Sequence, residues 1–67
     1  MDISVKVIET IEFLKSHEDF NCMTIPEAKK GITVSDEAIE ALKEAGMQLI
    51  WADTFKGGCW HVDVVGR

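Results

Sequence analysis

Apolar residues recur along the first third of the chain with the period of a helix. Ile3, Val7, Ile11 and Leu14 lie on one stripe, Ile8 widens it, and Lys6, Glu9, Glu12, Lys15 and Ser16 fall mostly opposite. The spacing predicts a helix that ends near His17, with Asp2 as its N-cap. Val5 and Phe13 fall off the main stripe. Glu18-Asp19-Phe20-Asn21 predicts a polar loop anchored by Phe20. Thr24-Ile25-Pro26-Glu27 then has the form of a capping box with proline in the first turn, and Gly31 supplies an end, so a short helix is expected over roughly residues 25–30. Ile32-Thr33-Val34 connects it to a third helix. Ser35 caps that helix, Asp36 and Glu37 sit in its first turn, Ala38, Ile39, Leu42 and Ala45 form its inner face, and Gly46 ends it.

After Gly46 the period changes to two. Leu49, Trp51 and Phe55 share one face of a strand, and Ile50, Ala52 and Thr54 share the other. Lys56-Gly57-Gly58 interrupts the pattern, and it resumes from Cys59 to Val65. A two-residue Gly57-Gly58 turn would set Phe55 opposite Trp60 and Trp51 opposite Val64. Trp51, Phe55, Trp60, Val62 and Val64 would then share one face, with Asp53 its single polar member. The expected fold is a small α+β winged helix, three helices followed by a C-terminal β-hairpin, in one domain spanning residues 1–67. Its core should unite Ile11, Leu14, Ile39, Leu42 and Trp60.

The local pattern carries a resemblance. Thr24, Glu27-Ala28, Val34-Ser35, Ala38-Ile39, Leu42 and Gly46 resemble the helix-turn-helix of excisionase-like and MerR-like regulators, and Gly57-Gly58-Cys59-Trp60-His61-Val62 is similar to their glycine-rich wing. The match spans roughly residues 23–62, and the resemblance implies a DNA-binding regulator. This sequence departs from such regulators where the recognition helix would meet the major groove. Its outward positions are Asp36, Glu37, Glu40, Ala41, Lys43 and Glu44, four acids and one base. Lys29 and Lys30 are the best remaining phosphate contacts, and the wing adds Lys56 and His61.

Charge turns the reading towards protein. The 67 residues hold 7 Lys and Arg against 12 Asp and Glu, a net charge of −5. A typical DNA site neutralises about 6–10 phosphates, and seven scattered bases cannot all face one duplex. The expected function is therefore a non-enzymatic protein-binding module. It would act as a small phage-type inhibitor or regulator through an acidic, nucleic-acid-mimicking face, on a partner with a basic groove such as a nucleic-acid-handling protein. Partner contacts are assigned to Asp36, Glu37, Glu40, Glu44, Lys56 and Trp60. A DNA-binding regulator or excisionase is the alternative, and a homodimer is left open.

Chemistry is sparse. Cys22 precedes the second helix where a short strand could lie beside the hairpin, so Cys59 could approach it. A disulfide, or a metal shared with His61 and His17, is conceivable, but no Cys-x-x-Cys pair or zinc-finger spacing occurs and buried free thiols are expected. Cys59 and His61 alternate on one strand face without an orienting third group. No glycine-rich phosphate loop occurs, and neither catalysis, cofactor nor metal is expected. No apolar run reaches the 18 or so residues of a membrane span, the N-terminus has no basic signal-peptide region, and two cysteines suit the cytosol.

Overall fold

The computed structural model describes residues 1–53 and 57–67. Its elements run α1 (Ser4–Ser16), β1 (Cys22–Ile25), α2 (Asp36–Glu44), β2 (Met47–Ala52) and β3 (Cys59–Val64). The strands form one antiparallel sheet of order β1-β3-β2. Both helices pack on the same face of it, α1 against β1 and β3 and α2 against β2.

The two long helices form where their periodicity places them. Ile3, Val7, Ile11 and Leu14 are buried along α1, whereas Ile8 and Val5 are exposed, so the buried stripe is narrower than expected. Ile3 occupies the cap position of α1 and offers no side-chain cap. Asp2, one residue earlier, accepts the Ser4 N–H at 2.8 Å and so serves one of the helix's free amides. The Ser4 side chain first, and its backbone N–H second, hold the Asp2 carboxyl below its ordinary value. That contribution is present at neutral pH and is lost as pH falls through the lowered value.

At the other end of α1, the Arg67 guanidinium donates to the carbonyls of Leu14 and Phe20, each at 2.9 Å. A cation there satisfies otherwise unpaired carbonyls and complements the helix dipole. In α2, Ser35 Oγ accepts the Ala38 N–H at 3.2 Å. Gly46, at φ +69°, turns the chain out of the helix and donates to the Lys43 carbonyl at 3.1 Å.

The expected winged helix is not the architecture found: two helices and three strands replace three helices and a hairpin. The second helix is the element that fails. Cys22–Ile25 is a strand whose Thr24 faces His61 and whose buried Ile25 faces Trp60. Pro26 opens a turn closed by the Ala28 N–H on the Ile25 carbonyl at 3.1 Å. The Lys29 carbonyl accepts the Trp60 indole N–H at 3.1 Å. Glu27, cast in the capping box, lies 3.9 Å from Lys6 instead. A six-residue helix is marginal on its own, and pairing of Cys22–Ile25 with the central strand β3 outweighs its capping signal.

The hairpin forms in a different register. Trp51 faces Trp60 and Met47 faces Val64, so residues 53–58 connect the strands in place of a two-residue glycine turn. Phe55 and Lys56 lie outside the described residues. Measured along β3, Trp51 sits four positions from its expected partner Val64. Because four is even, Trp51, Trp60, Val62 and Val64 still share the inner face. Asp53 lies beyond the strand and accepts the Trp51 indole N–H at 3.0 Å. A side chain at Gly58, which has φ +95°, would meet the Trp51 ring at 2.6 Å, so only glycine fits beneath that indole.

Among the described residues, no helix is long and apolar enough to cross a membrane.

Candidate functional site

Two surfaces concentrate chemistry, one beside α2 and one on the uncovered face of the sheet.

At 100° per residue, Ala38, Leu42 and Ala45 of α2 point into the molecule, and Asp36, Glu37, Glu40 and Glu44 point away. Ala38 and Leu42 are buried and all four acids are exposed. Glu40 lies 3.9 Å from Lys43, both well exposed, and an ion pair of that kind leaves Glu40 free to meet a partner. Ile39 corrects the expected core. It is 39% exposed, because it sits on the flank between the buried and acidic faces of α2. Ile11, Leu14 and Leu42 are buried as expected, and Trp60 is half-buried against them.

The flank bearing Ile39 opens onto a groove of about 430 Å³ between α2 and the sheet. Val34, Ile39, Leu42, Leu49 and Trp60 give it an apolar floor, and Lys43 and Gln48 stand at its rim. Of the six residues assigned to partner contacts, the fold therefore brings the four acids together on one helix and places Trp60 in the adjoining groove. Lys56 lies outside the described residues. Trp51 and Trp60 pack edge to face with ring centroids 5.5 Å apart, and Lys30 Nζ lies 5.5 Å from the Trp51 ring. Lys29 and Lys30, read from sequence as phosphate contacts on a helix, instead belong to the loop that covers this tryptophan pair.

Sequence reasoning read the second surface only in part: it placed Cys59 and His61 on one strand face and allowed a short strand at Cys22, but did not bring in Asp63. Alternation along β3 sends Trp60, Val62 and Val64 towards the helices, and Cys59, His61 and Asp63 to the opposite face. Register with β1 adds Cys22 beside Asp63 and Thr24 beside His61; register with β2 adds Gln48, Ile50 and Ala52. Cys22, His61 and Asp63 bring one donor atom each to within 4.8 Å of one another. Cys59 Sγ lies 3.2 Å from His61 Nε2.

Both cysteines are free, Cys22 exposed and Cys59 half-buried, which corrects the expectation of buried thiols. Cys22 pairs with Asp63, four residues from Cys59, so the backbones of the two cysteines stand about 13 Å apart along the sheet, beyond the Cα separation of about 4.4–6.8 Å that a disulfide needs. His17 is elsewhere, stacked on Phe13 at 4.0 Å with Nδ1 2.8 Å from the Phe13 carbonyl. The signal that could have found the cluster is the alternation Cys59-x-His61-x-Asp63, three ligand-type residues on one strand face.

Comparison with protein-family models, curated proteins and solved structures finds no match to this chain.

Proposed function

We propose that this protein is a non-enzymatic, cytoplasmic binding module for a protein partner, and that it takes a basic, amphipathic segment across α2. The observation that carries the reading is a single helix, α2, that borders an apolar groove on its Ile39 flank, carries Lys43 at the rim, and exposes four acids on its outward face. Apolar side chains of the partner would enter between Ile39, Leu49 and Trp60, and its Lys or Arg residues would reach past Lys43 to Asp36 and Glu40 first and to Glu44 beyond them. A half-exposed tryptophan at the centre of such a patch is a typical anchor for binding energy. The net charge of −5 adds attraction over distance.

The DNA reading loses its main support with the helix-turn-helix, because residues 25–30 do not form the first of its two helices. Duplex binding is expected to stay in the roughly 10⁻⁴–10⁻⁶ M non-specific range at physiological salt.

Selection from a random peptide-display library tests the proposal. The enriched peptides should combine Lys or Arg with spaced apolar residues, and their affinity should fall as salt rises. Glu40→Lys with Glu44→Lys should weaken binding at least about tenfold, since like charges across an interface cost several kcal/mol. The fold should persist, because exposed charge changes usually alter stability by about 0.5 kcal/mol or less. Ile39→Asp should weaken the same peptides. Enriched peptides without basic residues, or affinity indifferent to both sets of changes, would contradict the proposal.

A further inference from the structure

The uncovered face of the sheet holds a donor set that the partner-binding reading does not use. We propose that Cys22, His61 and Asp63 bind a single borderline-soft divalent ion, of which Zn²⁺ is the representative.

The fold itself creates the convergence. Two of the donors are separated by one residue on β3 and so project from the same face, and the third is the cross-strand neighbour of Asp63 on β1. The backbone positions of all three are set by the ladders of a central strand paired on both sides. Thiolate, imidazole and carboxylate form a mixed donor set that zinc accepts at about 2.0–2.3 Å. Tetrahedral ligation at those lengths needs donors about 3.3–3.8 Å apart. The donors now lie within 4.8 Å of one another, so side-chain rotation of about 1 Å closes the site. Cys22 is exposed and His61 and Asp63 are half-buried, leaving an entry path from solvent.

Cys59 has a separate part. Its Sγ does not belong to the group of donors that lie within 4.8 Å of one another, and its backbone stands about 13 Å from that of Cys22 along the sheet. Its Sγ lies 3.2 Å from His61 Nε2, which leaves Nδ1 as the ring nitrogen for the metal. Fixing the non-ligating nitrogen of a metal-binding histidine orients the ring, which makes Cys59 a positioning residue. Three protein ligands leave a fourth position for water or an incoming ligand, the arrangement of an open rather than a closed zinc site. Ile50, on β2 opposite His61, supplies an apolar flank.

The test uses the full chain, reduced with a non-thiol reductant, and Zn²⁺ and Co²⁺ as probes. The expected result is one ion per chain. Co²⁺ should give visible bands of tetrahedral intensity together with a sulfur-to-cobalt charge-transfer band in the near ultraviolet. Zn²⁺ should abolish both by displacing it. Cys22→Ser should remove the charge-transfer band. His61→Gln and Asp63→Asn should each weaken Zn²⁺ binding by about a hundredfold or more, and Cys59→Ser by about tenfold, the low end for an orienting partner. Circular dichroism of each variant without metal should match that of the parent, since all four positions lie on the uncovered face. Three results would each overturn the proposal: no charge-transfer band at stoichiometric Co²⁺, a band that survives Cys22→Ser, or one ion shared between two chains.

Discussion

Val62→Asp abolishes folding at neutral pH. Val62 is fully buried at the middle of β3, between Met23 of β1 and Leu49 of β2 and beneath the helices. A carboxylate there has no partner among the apolar residues of the core, and burying an unpaired charge costs several kcal/mol even after relaxation. A domain of this size rarely has more than about 3–5 kcal/mol to lose. The far-ultraviolet circular dichroism of the variant should lack the helical minima of the parent. Ile50→Asp is the control, because Ile50 lies on the uncovered face and is 36% exposed. It should fold with a near-parental melting temperature. A folded Val62→Asp protein would mean that the helices cover the other face.

Leu42→Ala should cost about 2–5 kcal/mol, the range for emptying a buried leucine site. Leu42 is 5% exposed and belongs to the same core as Val7, Ile11, Leu14 and Val62. Ile39→Ala, three residues earlier on α2, should cost about 1 kcal/mol or less, because that side chain already faces the groove. Urea titrations of the two variants separate the cases. Equal losses would place Ile39 in the core and close the groove on which the binding proposal rests.

These contrasts mark how far the sequence could be read. Both long helices were legible because their signals are local: a stripe from Ile3 to Leu14, and Ser35 with its acids at the start of α2. The side of α2 on which Ile39 falls was not, because its angle lies between the two faces and the neighbouring strand decides it. The segment around Thr24 misled for a related reason. Its capping-box residues are a local signal, whereas its pairing with His61 and Trp60 depends on a strand more than thirty residues away. In the hairpin, parity protected the face assignment while the loop length was wrong.

The candidate sites divide along the same line. The acidic stripe follows from helical spacing and stands exposed on α2. The cluster of Cys22, His61 and Asp63 depends on the register of β1 in the sheet: a short strand at Cys22 could be read from the sequence, but it suggested Cys59 as the neighbour, whereas the register sets Asp63 there.

The pairing of β1 with β3 is therefore the claim on which the rest depends: it removes the second helix, leaves one sheet face uncovered and sets Cys22 beside Asp63. Nuclear Overhauser contacts along the backbone of the ¹⁵N-labelled protein measure it directly. The predicted result is a set of cross-strand contacts linking Met23 with Val62 and Thr24 with His61, in antiparallel register. A run of sequential amide–amide contacts over residues 27–30, with no cross-strand contacts from residues 22–25, would contradict it.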